Sequence, residues 1–181
     1  MAMLKPLTAR FSLIDHHGQP VTQASYAGRY MLVYFGFTHC RMICPRTLKK
    51  LSNVLAALGN RASEIVPLYV SIDPDRDTPE VMREFLSNSF PAFTGLTGSR
   101  EQVEEAKRAF RVFSQVKPNA DAPADYEVRH TAFTYLLDPA GEYVSHFVEN
   151  VGEEELASRM RDLIVRPTQN DYQSDVNASA S

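Results

Sequence analysis

Cys40 and Cys44 are the only cysteines among the 181 residues, and they lie four positions apart between an apolar run and a segment with a helical pattern. Residues i and i+4 of a helical turn share one face, and their Cα atoms are about 6 Å apart. A disulfide tolerates Cα separations of about 4.4–6.8 Å. The pair can therefore close as a disulfide, or it can present two thiolates to one soft metal ion.

The residues around the pair favour a functional site over two buried cysteines that only fill space. Thr38, His39, Arg41 and Pro45 give the segment a polar, loop-like character. Inert cysteines are buried as small hydrophobes, whereas reactive cysteines lie in polar, partly exposed places. We therefore expect a surface loop at a helix N-terminus, where Cys44 is nearest the positive end of the helix dipole and Arg41 further lowers the pKa of both thiols.

Five histidines are candidates to complete a metal site. His16 and His17 fall in a turn, and His146 lies within an outer strand, so these three are interpreted as solvated or structural. His39 adjoins the first cysteine but alternates away from it if the chain is extended. His130 is the preferred candidate, because it stands at a boundary between loop and strand, where side chains often face a functional site.

Strand and helix signals alternate along the chain and predict an α/β sandwich around one mixed sheet. Apolar runs predict strands at residues 8–14, 30–35, 65–72, 131–137 and 142–148. Helical spacing predicts helices at residues 45–58, 79–89, 99–113 and 153–164. Phe113 completes the apolar stripe of the third helix and is assigned to the core, and residues 117–125 are read as a loop. Pairing of the fourth strand with the second would bring His130 near the cysteine loop.

Length and composition are those of one ordinary globular domain. With 44% apolar residues, 23% charged residues and a net charge of −3, the chain has no basic excess, so a nucleic-acid partner is not expected. A chain of this size buries about two-thirds of its unfolded surface and needs no disulfide to fold. No apolar run is long enough for a transmembrane helix, and the first residues lack a signal-peptide core. A chain from which an anchor had been removed would lack these signals as well, so their absence says little about location.

Three short motifs follow one another along the chain. They are Gly-Phe-Thr-His-Cys at 36–40 with Cys44 and Pro45, Ser-Ile-Asp-Pro at 71–74 with Arg-Asp-Thr-Pro at 76–79, and His130-Thr131 entering a strand that ends at Asp-Pro-Ala-Gly at 138–141. Together and in this order, they resemble the Sco/SenC family of cytochrome oxidase copper assembly. The resemblance covers residues 7–165, whereas a lone pair of cysteines at this spacing would be a weak signal.

The resemblance implies a thioredoxin-like fold for residues 7–165, with a central mixed sheet flanked by helices and an N-terminal β-hairpin. The polar tail at 166–181 is expected to be partly disordered. Position by position, Cys40, Cys44 and His130 match the family's copper ligands, with one copper per chain. The donor chemistry agrees, since two thiolates suit Cu(I) and an added imidazole suits Cu(II). Zinc usually takes a fourth ligand, and no further cysteine is available.

The function implied by the resemblance is a copper metallochaperone for the dinuclear copper centre of a respiratory cytochrome oxidase. Its expected partner is the copper-centre subunit of that oxidase or another copper or thiol carrier, and the chain is expected to be a monomer. The expected location is periplasmic, or membrane-anchored facing an oxidising compartment. The alternative is a thiol-disulfide oxidoreductase, in which Cys40 attacks a partner disulfide and Cys44 resolves the mixed disulfide. A thiol peroxidase is the weakest reading, because nothing marks a peroxide-activating cysteine.

Three residues depart from the family pattern. Family members commonly have proline and an acidic residue where this chain has Arg41 and Met42, and an acidic residue where it has Arg129. If both arginines lie beside the copper site, acidic replacements should tighten copper binding by at least about tenfold. If they extend into solvent, as surface arginines usually do, affinity should not change. Met42 could offer a thioether, but interior packing is the preferred interpretation.

Overall fold

The computed structural model describes residues 7–164, which form nine strands and four α-helices. The strands are β1 (Ser12–Asp15), β2 (Pro20–Thr22), β3 (Tyr30–Gly36), β4 (Ile65–Ser71), β5 (Thr94–Thr97), β6 (Ser114–Lys117), β7 (Glu127–His130), β8 (Thr134–Leu137) and β9 (Tyr143–Phe147). The helices are α1 (Ile43–Ala57), α2 (Pro79–Ser89), α3 (Arg100–Phe110) and α4 (Glu153–Leu163). None of these helices is long and apolar enough to cross a membrane. The tail predicted at 166–181 lies outside the described residues.

Seven strands form one mixed sheet in the order β2-β1-β5-β4-β3-β8-β9. Strand β4 pairs parallel with both β3 and β5, whereas the other pairs in this sheet are antiparallel. The sheet and its flanking helices confirm the predicted thioredoxin-like α/β class, and β1 with β2 forms the predicted N-terminal hairpin. Strands β6 and β7 form a separate antiparallel hairpin.

The centre of the sheet is buried on both faces. Every residue of β4 is buried, as are all residues of β3 except the first, in agreement with their continuous apolar sequences. Tyr34 contacts Cys44 of α1, whereas the next residue, Phe35, packs against Phe110 of α3. Because successive side chains of a strand point to opposite faces, α1 and α3 cover opposite sides of the sheet.

Several predicted boundaries were wrong. Helix α3 ends at Phe110 because Arg111 adopts a left-handed conformation with φ of 54°, and Phe113 beyond it is 78% exposed instead of lying in the core. Strands β5, β6 and β7 were not predicted, and β6 ends at the first residue of the loop predicted at 117–125. The strand predicted at 131–137 begins only at Thr134, and His130 is the last residue of the separate short strand β7.

Candidate dithiol and histidine site

The two cysteines lie where β3 passes into α1. Cys40 is half-buried in the connecting loop, and Cys44 is the second residue of the helix. The backbone N–H of Cys44 donates a hydrogen bond to the Cys40 sulfur over 3.3 Å. The sulfur of Cys40 therefore caps the first turn of α1, where backbone N–H groups lack partners within the helix. Both cysteines are free thiols in this structure.

Cys44 points inward and is fully buried. The hydroxyl of Tyr34 donates to its sulfur over 3.9 Å, and the Nε2 atom of His130 lies 4.0 Å from the same sulfur. The structure thus brings His130 to the second cysteine, whereas His16, His17 and His146 lie elsewhere. The expectation that both cysteines belong to a surface loop was wrong for Cys44.

The tautomer of His130 follows from one contact. Its Nδ1 atom lies 2.9 Å from the carbonyl oxygen of Thr131, and a carbonyl oxygen can only accept a hydrogen bond. The Nδ1 atom must therefore carry the proton, which leaves the lone pair of Nε2 directed to the side of Cys44. Burial lowers the pKa of His130, so the ring is held neutral. A neutral imidazole with a free Nε2 lone pair is the form that binds metals.

The two thiols differ in acidity. A hydrogen bond from the Cys44 thiol, assisted by the backbone N–H groups of residues 42–44, lowers the pKa of Cys40 to about 5. The same bond to Cys40, together with burial, raises the pKa of Cys44. The prediction that both values fall was wrong, because the helix N-terminus faces Cys40 and Cys44 is desolvated. At neutral pH the pair holds one thiolate, on Cys40, and one thiol, on Cys44.

A buried carboxylate holds the loop that precedes Cys40. Asp77 is fully buried and accepts hydrogen bonds from the Thr38 hydroxyl at 2.6 Å, the Thr38 N–H at 3.2 Å and the Ser71 hydroxyl at 2.7 Å. Burial raises the pKa of Asp77. The Nδ1 atom of His39 lies 3.1 Å from the Thr38 hydroxyl, so His39 belongs to this network. Sequence reasoning missed Asp77, although its place in the second motif was a usable signal.

A second cluster fixes the segment that leads to His130. The guanidinium of Arg76 bonds to Asp73 over 2.5 Å and lies 3.6 Å above the ring of Tyr126. The Tyr126 hydroxyl donates to the same Asp73 carboxylate over 2.5 Å. These contacts attach the chain just before β7 to the loop between β4 and α2. Between this segment and the cysteine loop lies an open groove of about 860 Å³, bordered by both Cys40 and His130.

The three residues that depart from the family pattern all lie at the surface. The side chain of Arg41 is 84% exposed and lies 3.6 Å from the carboxylate of Asp125, and Arg129 is exposed on β7. These positions favour the interpretation that both arginines extend into solvent. Met42 is 76% exposed at the start of α1, so its assignment to interior packing was wrong.

The donor atoms fit a soft metal ion, although they are not already closed around one. Within residues 7–164, no three His, Cys, Asp or Glu side chains form a ready metal-binding cluster. A metal at about 2.3 Å from sulfur and about 2.0 Å from nitrogen holds those two atoms roughly 3.7 Å apart at a trigonal angle. The separation of Cys44 and His130, 4.0 Å, is close to that value. These two atoms are therefore close enough to contact the same metal ion.

The fold and the site together define a thioredoxin-like domain that carries two thiols and an imidazole. Residues 2–165 match the family model for SCO1/SenC, and the chain belongs to this family. The human mitochondrial SCO1 homolog is 40% identical over 157 residues, which cover 85% of this chain and 52% of that protein. This chain spans little more than half the length of the first curated relatives that it matches.

Solved structures of similar proteins have the same fold. The crystal structure of Arabidopsis thaliana ScoI with copper bound has a TM-score of 0.81 and 33% identity, over 87% of this chain and 98% of that one. BsSco, a member of the Sco family of cytochrome c oxidase assembly proteins with an identified disulfide switch, has a TM-score of 0.68 and 26% identity, over 90% of this chain and 98% of that one. The Arabidopsis relative binds copper, and BsSco has a disulfide switch.

Proposed function

We propose that this protein binds one copper ion through Cys40, Cys44 and His130 and delivers it to the dinuclear copper centre of a respiratory cytochrome oxidase. The observation that carries the proposal is that the Nε2 atom of His130 lies 4.0 Å from the buried sulfur of Cys44, with its lone pair on that side. Two sulfurs and one imidazole nitrogen suit copper in both of its common oxidation states. The copper-bound relative and the oxidase assembly role of the BsSco family support the same reading.

The unequal exposure of the three donors suits a carrier of a metal cargo. Cys44 and His130 hold the ion from the protein side, and Cys44 must release its proton as the ion binds. Cys40 is half-buried beside the open groove and is already a thiolate near neutral pH. A partner's thiolate or imidazole can therefore approach from the groove and replace Cys40 first. Transfer by stepwise replacement of ligands never leaves the ion without donors.

The partner and location of this function are part of the same proposal. The partner is the copper-centre subunit of the oxidase or another copper or thiol carrier, and the protein acts as a monomer. The compartment is oxidising, either the periplasm or the equivalent side of a membrane to which the protein is anchored. The mitochondrial location of the human relative is consistent with assembly beside a respiratory membrane.

A second candidate function is reduction of partner disulfides, and the acidity of Cys40 is the observation that favours it. The Cys40 thiolate would attack a partner disulfide, form a mixed disulfide and release one partner thiolate. Cys44 would then lose its proton and attack the Cys40 sulfur, which frees the second partner thiolate. Two electrons pass to the partner, and a Cys40–Cys44 disulfide remains. The disulfide switch of BsSco supports this chemistry.

Anaerobic titration of the reduced protein with Cu(I) in competition with a chromogenic chelator tests the copper proposal. The expected result is one copper per chain, with binding lost in Cys44→Ser and weakened in His130→Ala. His146→Ala is the matched control, because His146 is exposed on the outer strand β9 and remote from the cysteines. Equal affinity in His130→Ala and the control would contradict the proposed ligand set. Absence of binding together with catalytic reduction of a model disulfide would favour the oxidoreductase.

A further inference from the structure

The side chain of Arg76 binds the segment that leads into β7. Arg76 lies in the loop between β4 and α2, and its side chain is only 12% exposed. Its Nε atom donates to the carboxylate of Asp73 over 2.5 Å. Its Nη2 atom donates to the carbonyl oxygen of Tyr126 over 3.1 Å, and Nη1 donates to that of Ala124 over 3.3 Å. One planar guanidinium therefore binds three acceptors at once, two of them on the backbone just before β7.

The same guanidinium also reaches the cysteine loop. Its Cζ atom lies 3.6 Å from the ring centre of Tyr126 and 5.8 Å from that of Phe37, which precedes Cys40 in that loop. Both rings border the open groove. Because a cation is attracted to the face of an aromatic ring, Arg76 joins the two walls of the groove. The Phe37 ring in turn packs edge-on against the ring of His130, with the ring centres 6.2 Å apart.

The hairpin that carries His130 has little apolar burial to hold it in place. It consists of two strands of 4 residues each, and a two-stranded hairpin alone is marginally stable. Val128 of β7 is buried, whereas the residues of β6 are half-buried or exposed. The ion pair of Arg41 with Asp125 is exposed, and such pairs contribute little. The position of the hairpin therefore depends strongly on the buried contacts of Arg76.

We propose that Arg76 is a positioning residue that holds His130 beside Cys44 in the metal-free protein, ready for an incoming copper ion. It acts along two routes, through the backbone of residues 124–126, which continues into β7, and through the ring of Phe37. A ligand held in place beforehand binds more tightly, because the binding-competent state is already the populated one. The copper part of this inference rests on the proposed function, whereas the position of His130 in the metal-free protein does not.

Replacement of Arg76 by lysine tests this role without a change of charge. An ammonium group is a compact point charge that cannot bind the three acceptors as the planar guanidinium does. Arg76→Lys should therefore release the segment before β7 and weaken Cu(I) binding by at least about tenfold, as loss of groups that orient a metal ligand commonly does. Arg100→Lys is the matched control, because Arg100 pairs with Asp75 of the same loop but is exposed. Equal Cu(I) affinity in the two variants would overturn the inference.

A role that acts through His130 has to disappear when His130 is absent. In the His130→Ala background, Arg76→Lys should therefore cause no further loss of Cu(I) affinity, and the two substitutions should be strongly non-additive. Chelator competition on the two single variants and the double variant measures this coupling. An equal loss in both backgrounds would show that Arg76 acts on the cysteines or on the fold instead, and it would overturn the inference.

NMR of the reduced, metal-free protein reports the position of His130 itself. The imidazole lies beside the rings of Tyr34 and Phe37, whose ring currents shift its proton resonances. Arg76→Lys should move these resonances towards the values of unfolded protein, and Arg100→Lys should not. Unmoved resonances in Arg76→Lys would overturn the inference, even in a protein that binds copper. Moved resonances, when the wild type binds no copper, would support the role of Arg76 and refute the copper function instead.

If Arg76→Lys fails to fold, Tyr126→Leu breaks the same cluster from the side of the hairpin. This change removes the ring beside the guanidinium and the hydroxyl that donates to Asp73 over 2.5 Å. The His130 resonances should move here as well, and Cu(I) affinity should fall by at least about tenfold. A folded Tyr126→Leu protein with the His130 resonances of the wild type would overturn the inference.

Discussion

The Nε2 atom of His130 lies 4.0 Å from the sulfur of Cys44, although 86 positions separate the two residues in the chain. The contact follows from the topology, because β8 pairs antiparallel with β3, and Thr134 lies opposite Tyr34. The chain just before β8 is thereby brought to the end of β3 from which the cysteine loop leaves. The short hairpin of β6 and β7 ends at His130, whose Nε2 atom reaches Cys44 in the first turn of α1.

Loss of the His130 side chain should affect metal binding far more than stability. His130 is half-buried and contacts the rings of Tyr34 and Phe37, so His130→Ala should cost about 1 kcal/mol. For a chain of this size, that is about 2–4 °C in the thermal midpoint of the metal-free protein. The Cu(II) absorption spectrum should change strongly. An unchanged spectrum would remove His130 from the site.

Alkylation kinetics should report the unequal acidity of the two thiols. Because the pKa of Cys40 is lowered to about 5, its reaction with iodoacetamide should be independent of pH above about 7 and should fall as the thiolate is protonated below about 5. Cys44 should stay unmodified in the folded protein, since it is buried and its pKa is raised. Mass spectrometry of time courses between pH 4 and 9 measures both. A single inflection between pH 8 and 9 for Cys40 would be incompatible with this site.

Exposure of the protein to air should join Cys40 and Cys44 in a disulfide. The spacing permits closure, and the thiolate on Cys40 is accessible to oxidants. Thiol counting in unfolded protein, before and after mild reduction, should give no free thiols and then two. Two free thiols in the oxidised sample would refute the prediction.

Replacement of the buried carboxylate Asp77 should loosen the cysteine loop. Asp77→Asn turns one acceptor into a donor that faces the hydroxyls of Thr38 and Ser71, so the free energy of unfolding should fall by about 1–3 kcal/mol. Asp75→Asn is the control, since Asp75 is exposed and forms a surface ion pair with Arg100. Denaturant unfolding of the metal-free proteins measures the difference.

The cost of Asp77→Asn should also depend on pH. The pKa of Asp77 is raised in the folded protein, so the wild type binds a proton more tightly when folded and loses stability as the pH rises through that value. The variant has no such group. The stability difference between the two proteins should therefore be largest near pH 4 and smaller at pH 7. A difference that grows with pH would show that the native site prefers the ionised carboxylate.

Charge reversal of the two arginines near the groove should have little effect on copper. Arg41 and Arg129 are exposed, and charges in solvent are screened by salt. The double variant Arg41→Glu and Arg129→Glu should change Cu(I) affinity by less than about tenfold at physiological ionic strength. Competition titrations at low and high salt measure this. Tightening of tenfold or more would restore the earlier expectation that these charges act on the site.

The sequence predicted those strands and helices whose own residues mark them clearly, through an apolar run in a buried strand or a capping residue at a helix start. Continuous apolar residues identified β3 and β4, and Thr78 accepts from the N–H of Val81 as the expected cap of α2. Strand β6 was missed because Ser114–Lys117 is almost wholly exposed and has no apolar pattern. Strand β5 was missed because it is only four residues long and contains glycine.

Properties of the site that depend on tertiary packing could not be read from spacing. The positions of Cys40 and Cys44 were predicted, but the pKa of Cys44 is raised by its hydrogen bond to Cys40 and by its burial, and both depend on how α1 packs against the sheet. Met42 and Phe113 were assigned to the interior from residue type alone. Each follows a turn that directs its side chain to solvent, and residue type does not encode that direction.

X-ray absorption of the copper-loaded protein tests the central claim most directly, because it counts the donor atoms around the metal. With Cys40, Cys44 and His130 as ligands, the spectrum of the wild type should fit two sulfur atoms and one imidazole nitrogen per copper. His130→Ala should lose the imidazole scattering and keep both sulfurs, whereas His146→Ala should match the wild type. A wild-type spectrum without sulfur, or one that His130→Ala leaves unchanged, would contradict the account.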